Sequence, residues 1–286
     1  MDALRQICSC PSPTPSRLSG IQEILGRDIL NYGNAVERLL KPDASANEIA
    51  LFGCFAARKL LEAGCVALLA RFDPSRLLIL REFQIKGKYA LTSRHQASID
   101  WSGDVVSEGR ASWADTTSPS KFVRSLLGGH LAEVVWHEAI SKFAQPEDPT
   151  LDTGGSAWLE ELLTQHQTRA ARRAQGKQKS QDARGTPGPT AQPEPAHDSV
   201  EAELLASFRT NAQQNFSTLS KGVHLEFVVD QSAILDVPTV QATMRRTVKL
   251  LTQLAYISHF ADCGYSALPI RDALPLVRQI EDEIEQ

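Results

Sequence analysis

The chain has 286 residues, of which 42% are hydrophobic and 22% charged, and its formal net charge is −4. This apolar share is enough to build a folded core, so the composition excludes a chain that is disordered throughout. Residues 201–286 carry 7 Lys and Arg against 11 Asp and Glu. Because no part of the chain has a broad basic excess, an extensive double-stranded DNA footprint is not expected.

Membrane and secretory classes are not expected either. The N-terminus lacks the apolar segment of a signal peptide, and no run of about 18 uncharged apolar residues predicts a membrane span. The five cysteines have no zinc-site or disulfide spacing, and Cys54 and Cys65 fall in apolar helical pattern, where a thiol acts as a small hydrophobe. We therefore expect a cytoplasmic protein with no membrane contact and no cofactor.

The first part of the chain predicts a tail and two helices. Residues 1–16, rich in Pro and Ser, predict a disordered tail. Apolar residues at helical spacing predict a helix over 17–40, which ends before Pro42. Ser45-Ala-Asn-Glu48 has the pattern of a capping box and opens a long helix that ends at Asp73-Pro74. Apolar residues surround most of this second helix, so we expect it at the centre of a bundle.

Residues 87–117 have no helical period and contain several Gly, Ser and Asp, which predicts a long irregular excursion. Trp101 and Trp113 lie on it. Because Trp is enriched both in cores and at binding surfaces, these two residues either cap the core or contact a partner. Ser118-Pro119 then begins another helix, and Pro146 ends it.

A helix over about 156–173 begins amphipathic and becomes basic. Its arginines Arg169, Arg172 and Arg173 are weak candidates for nucleic-acid contact. No aromatic residues are interleaved with them for stacking on bases, which favours a solvated helix end instead.

The last part of the chain predicts three helices and a strand. The segment "VHLEFVVD", which begins at Val223, alternates apolar and polar residues as a half-buried strand does. Its partner strand is expected in 231–236, in the excursion or on another chain. The final acidic helix carries an apolar stripe that includes Ile280 and Ile284, which predicts either docking into a groove of another protein or packing on a neighbouring helix.

The expected fold class is therefore mainly α. It comprises a helical bundle with an irregular excursion, a flexible linker that has almost nothing to bury, and a smaller helical C-terminal unit with one or two strands. The expected boundaries are a tail at 1–16, the bundle at 17–175, the linker at 176–198 and the C-terminal unit at 199–286.

The segment "SLLGGHLAEVVWHEAI" concentrates chemically useful side chains on an otherwise apolar helix. At 100° per residue, one narrow polar strip holds His130, Glu133, His137 and Ser141. Two imidazoles and a carboxylate are typical metal ligands, so one alternative is a metal-dependent hydrolase with a fourth ligand from the excursion, His95 or Asp100. The order of the residues matches neither zinc-protease helix signature, and which metal would bind is open. The commoner interpretation is a polar edge that is solvated or satisfied by a neighbouring helix.

Arg124 and His130 form an Arg-x5-His spacing, which resembles the active-site pattern of helical HEPN ribonucleases. The resemblance covers these two residues. It implies metal-independent cleavage of RNA, with His130 as the acid–base group and Arg124 holding phosphate.

No complete catalytic constellation is present in the sequence, and the linker would let two modules bind jointly. We therefore expect a non-catalytic interaction or accessory subunit of a multi-protein assembly. Its expected partner is another protein or a second copy of the chain, with RNA as the alternative.

Overall fold

The computed structural model describes residues 1–9, 17–75, 77, 78, 81, 130–145, 155–184, 199–223, 236–265 and 267–285. Within these ranges it contains eight helices and no strand, which confirms the mainly α fold class. In chain order they are α1 (Asp2–Ser9), α2 (Arg17–Leu40), α3 (Ala46–Phe72), α4 (His130–Ala144), α5 (Ala157–Arg184), α6 (Val200–Lys221), α7 (Val237–Ser258) and α8 (Ile270–Glu285). The excursion at 87–117 and the predicted strand after Val223 lie outside the described residues.

Both ends of α2 and α3 agree with the prediction, but the capping box does not form. The side chain of Ser45 makes no capping hydrogen bond. The carboxylate of Glu48 lies 3.8 Å from the guanidinium of Arg38, at the end of α2. The start of α3 therefore follows the break at Pro42, and Glu48 helps to connect the two helices instead of capping one of them.

The helix at the centre of the bundle is α7. Residues 250–258 are all buried, and α7 packs against every other described helix, most extensively α3 and α6. The hydroxyls of Thr247 and Thr252 donate to carbonyls one turn earlier, at 2.9 Å each. These threonines therefore add no unsatisfied polar group to the core. The sequence pattern favoured α3 for this central place, but near its start part of one face of α3 is exposed.

Two glycines let α3 and α7 approach closely. A Cβ atom added to Gly53 would lie 2.6 Å from a methyl carbon of Val240, and one added to Gly64 would lie 2.7 Å from a methyl carbon of Leu251. Buried residues from all eight helices form one hydrophobic cluster. The predicted bundle and the predicted C-terminal unit therefore share one core in the described part of the chain.

Two predicted irregular segments are partly helical. Residues 2–9 form α1, in which Leu4, Ile7 and Cys8 are at most 1% exposed, against the expectation of a disordered tail. Their spacing of three and four residues puts them on one face, which packs against α2 and α8. Helix α5 includes the first nine residues of the predicted linker, 176–184; the rest of that linker lies outside the described residues. None of the described helices has both the length and the apolar character needed to cross a membrane.

Candidate functional site

The polar strip predicted from the sequence lies on α4, which begins at His130. The helical backbone from His130 to Ser141 places the four residues of the strip on one face, as the spacing indicates. The side chains of His130 and Glu133 are outside the described set, while His137 is half-buried and Ser141 is exposed. Because Arg124 also lies outside the described residues, both catalytic interpretations of this strip stay predictions.

Helix α4 is fixed to its neighbours on its other faces. The fully buried ring of Trp136 packs edge-on against Phe72, with 5.0 Å between the ring centroids. The ammonium of Lys142 lies 2.6 Å from the carboxylate of Asp262 and 2.8 Å from that of Glu138. The hydrogen bond from Lys142 lowers the pKa of Asp262, and the hydrogen bond to Asp262 raises the pKa of Lys142. These contacts give α4 a clear packing role.

The remaining predicted site residues fall into two groups. The candidate partner residues Trp101 and Trp113 and the candidate ligands His95 and Asp100 lie outside the described residues. Within the ranges that are described, no three His, Cys, Asp or Glu residues lie close enough together to hold a metal ion.

The apolar stripe of α8 is covered by the chain itself. Ile280 and Ile284 are 0% and 2% exposed and belong to the common core, in which α8 packs against α1 and α7. These two residues are therefore not available for docking into another protein, the first of the two roles that the sequence left open. The stripe has its partner in α1, which the sequence analysis expected to be disordered.

The predicted basic run is partly used in packing α5 against α6. The guanidinium of Arg169 donates a 2.6 Å hydrogen bond to the hydroxyl of Ser207, and that of Arg173 lies 2.7 Å from the carboxylate of Glu203. Arg172 is exposed. Two of the three candidate nucleic-acid residues thus contact α6, and nucleic-acid binding stays a prediction.

A buried guanidinium joins the C-terminal ends of three helices. Arg71, in the last turn of α3, is 2% exposed and donates to the carbonyls of Ile7 and Cys8 in α1, at 2.7 and 3.1 Å. It also donates to the hydroxyl of Ser258 in α7. Positive charge is stabilising at helix C-termini, where carbonyl groups lack intrahelical partners.

The imidazole of His259 completes this junction. Its Nδ1 accepts a 3.0 Å hydrogen bond from the backbone N–H of Leu268, and its Nε2 lies 3.1 Å from the carbonyl of Ile7. The ring is therefore neutral with its proton on Nε2. Burial, and next the nearby guanidinium of Arg71, lower the pKa of His259 well below its ordinary value of 6.5. The junction is a structural joint, since its partners are helix ends of the same chain.

One face of α3 carries exposed apolar side chains, which we call the α3 patch and define as Leu51, Phe52 and Phe55. They are 64%, 53% and 43% exposed. On its other sides α3 packs against α2, α6 and α7, so the patch stands on a fixed support. The sequence pattern did not separate these residues from the core, because they continue the same apolar run.

A polar cleft lies between α5, α6 and α7, and we call it the α5–α6–α7 cleft. It has a volume of about 500 Å³, within the range of small-molecule sites. The described residues that line it are Glu161, Leu162, Gln165, Leu204, Ser207, Phe208, Asn211, Gln214, Asn215, Arg246, Lys249, Leu250 and Gln253. Sequence reasoning missed this cleft because its residues come from three separate helices and form no motif.

Comparison with known proteins gives no functional assignment. No protein-family model matches the chain, and no match was found among curated proteins or solved structures. The α3 patch and the α5–α6–α7 cleft are therefore interpreted from their own geometry.

Proposed function

We propose that this chain is a non-catalytic interaction subunit of a multi-protein assembly and that it docks onto another protein through the α3 patch. The observation that carries the proposal is the exposure of three large apolar side chains side by side on one helix face. Exposed apolar patches of a few hundred Å² are often functional, and contact with another protein is one of their common roles. Aromatic residues are among those that contribute most at the centre of interfaces.

The size of the α3 patch suits the centre of an interface. With about 200 Å² for each fully exposed side chain, the patch presents roughly 300 Å² of apolar surface. A stable interface buries about 800 Å² on each partner. More than half of that area is apolar, and the apolar centre is surrounded by a polar rim. The patch therefore needs the polar residues around it to complete the contact.

The charges beside the patch indicate the chemistry of the partner. Arg58 and Lys59 both pair with Glu62, at 3.1 and 2.9 Å, and Arg58 also lies over the ring of Phe216, 4.9 Å from its centroid. Because these charges are already satisfied within the chain, they offer little attraction to a strongly charged partner. The partner we propose presents an apolar helix face without a large net charge.

The state of the cysteines supports a cytoplasmic location for this assembly. Cys8, Cys54 and Cys65 are buried free thiols, as is usual in a reducing compartment. Burial raises the pKa of Cys65 to about 12, so that its thiol stays protonated and unreactive.

The proposal is tested by photo-crosslinking in the native cell. A photoreactive phenylalanine analogue replaces Phe52 in the full chain, and a matched chain carries it at Val134, which is 65% exposed on α4. Val134 is a suitable control because α4 packs near the opposite end of α3, where Trp136 meets Phe72. We expect one abundant crosslinked protein from position 52 that is missing from position 134.

The purified partner must then bind the full chain, and the double variant Leu51→Ser with Phe55→Ser must weaken that binding. If position 52 crosslinks only to a second copy of the chain, the α3 patch is the contact of a homodimer, and the proposed docking onto a different protein is wrong. The same products from positions 52 and 134, or none from position 52, would contradict a docking role for the patch.

A further inference from the structure

The α5–α6–α7 cleft has an apolar floor and polar walls. Leu162, Leu204, Phe208 and Leu250 are at most 3% exposed, so they belong to the core beneath the cleft. Helix α6 adds Asn211, Gln214 and Asn215, whose spacing of three and four residues puts them on one face. Gln165 of α5 and Gln253 of α7 also line the cleft, but their amide nitrogens already donate within the chain, to Glu161 at 3.1 Å and to the carbonyl of Trp158 at 3.0 Å.

Asn215 presents an unpaired carboxamide to the cleft. It is only 6% exposed, and its carboxamide makes no hydrogen bond with any described residue. Neither polar atom of this carboxamide is among the fully buried atoms without a partner, so both can be reached from the cleft. The side chain of Asn215 is available to donate and to accept hydrogen bonds inside the cleft.

The charges of the cleft favour an anion. Arg246 is exposed on α7 and makes no ion pair or hydrogen bond within the described part of the chain. Lys249 and Glu161 neutralise each other in an ion pair, so they leave Arg246 as a net positive charge. Arg169 of α5 donates to Ser207, which lines the cleft. The Nη1 atom of Arg169 is buried and has no hydrogen-bond partner among the described residues.

The carboxamides indicate what the rest of the ligand carries. A carboxamide donates and accepts hydrogen bonds, and so does a hydroxyl group, so several carboxamides in one cleft match a molecule with several hydroxyls. A nucleobase would favour an exposed aromatic face to stack on. Phe208, the one aromatic ring in the described lining, is 2% exposed.

We infer that the α5–α6–α7 cleft binds a small polyhydroxylated anion of the sugar-phosphate type. Arg246 holds the phosphate at the mouth of the cleft, where its guanidinium can make two parallel hydrogen bonds to phosphate oxygens. Asn215, with Asn211 and Gln214, holds the hydroxyl groups. This binding site lies on different helices from the exposed α3 patch and does not depend on the docking proposal.

Binding is tested with glucose 6-phosphate as the probe, titrated calorimetrically into the purified full chain at neutral pH and low ionic strength. Glucose and inorganic phosphate are titrated in parallel. We expect saturable binding of glucose 6-phosphate and weaker binding of each comparator, because each supplies only one half of the contacts.

Two variants and one matched control locate the site. Arg246→Gln is expected to weaken binding by about 10-fold or more, as the loss of a charge-assisted contact does. Asn215→Leu should weaken it too, without lowering the melting temperature, since the carboxamide makes no hydrogen bond within the described part of the chain. Arg245→Gln is the control, because Arg245 is the neighbouring exposed arginine and does not line the cleft.

Three results would overturn the inference. One is no saturable binding of glucose 6-phosphate at millimolar concentration. Another is equal weakening by Arg246→Gln and Arg245→Gln, which would mean attraction to general surface charge. The third is binding of inorganic phosphate as tight as that of glucose 6-phosphate, which would mean that the carboxamides do not contribute to binding.

Discussion

Replacing Gly64 by Ala tests the close contact of α3 and α7. The new methyl group would lie 2.7 and 2.8 Å from the two methyl carbons of Leu251, well inside the contact distance of about 3.5–4.0 Å. Leu251 is fully buried, so a shift of its side chain would disturb the packed core around it. Overpacking of this kind costs about 1–3 kcal/mol, and the better helix propensity of Ala returns up to about 1 kcal/mol. We expect the free energy of unfolding to fall, by up to about 2 kcal/mol once the gain in helix propensity is subtracted.

The measurement is urea unfolding of the full chain, followed by circular dichroism and by tryptophan fluorescence. Gly20→Ala is the matched control, because Gly20 lies in α2 and nothing stands within 4 Å of the position its Cβ would take. The same substitution should therefore raise the free energy of unfolding there, by up to about 1 kcal/mol. Opposite signs at the two glycines are the expected result.

A second substitution identifies the clashing neighbour. Leu251→Ala alone should cost about 2–5 kcal/mol, since it leaves a cavity in the core. In that background Gly64→Ala should no longer destabilise, because the two methyl groups it meets are gone. If Gly64→Ala stabilises the wild-type chain as Gly20→Ala does, or if its cost is the same with and without Leu251, the described packing of α3 on α7 is refuted.

Three further predictions follow from buried polar groups. The pKa of His259 is lowered in the folded chain, so just below pH 6.5 only the unfolded chain binds a proton at this residue. As the pH is lowered through this range, the free energy of unfolding should therefore fall, by up to about 1.4 kcal/mol per pH unit. His259→Asn, which keeps an acceptor near Leu268, should flatten that slope in urea titrations, and an unchanged slope would contradict the assignment. Glu281 accepts hydrogen bonds from Ser156 and from the backbone of Trp158 at the start of α5. Glu281→Gln should therefore lower the free energy of unfolding by about 1–2 kcal/mol. A loss under about 0.3 kcal/mol would refute this capping role. The third prediction concerns thiol labelling of a Cys10→Ser chain at pH 8. A thiol reagent should label the exposed Cys263 quickly and the buried Cys65 only when the chain unfolds. Fast labelling of Cys65 in the folded chain would contradict its burial.

Local signals in the sequence predicted the helices better than their arrangement. Pro42 and Pro74 mark the ends of α2 and α3 because proline acts on its own neighbours. The central place of α7 was not predictable in this way. Threonines count as polar in a sequence pattern, yet Thr247 and Thr252 satisfy their hydroxyls within the helix and enter the core without penalty.

Packing between distant segments explains the other differences. Helix α1 was missed because the Pro- and Ser-rich residues after it dominate the pattern, while Leu4 and Ile7 find their partners at the far end of the chain, in α8. The α3 patch was missed for a related reason, since periodicity identifies an apolar residue such as Phe52 but not whether a neighbour covers it. The α5–α6–α7 cleft exists only once three helices have met.

The most direct test of the docking role is the dissociation constant between the full chain and the partner crosslinked at the α3 patch. Wild type is compared with Phe52→Ser and with Val134→Ser, which removes another exposed apolar side chain, this one from α4. Because truncating a central aromatic residue of an interface costs about 2 kcal/mol, we predict roughly 30-fold weaker binding for Phe52→Ser, with an unchanged melting temperature. Val134→Ser should bind like wild type. Equal affinities for all three chains would contradict the proposal that this protein acts by docking through α3.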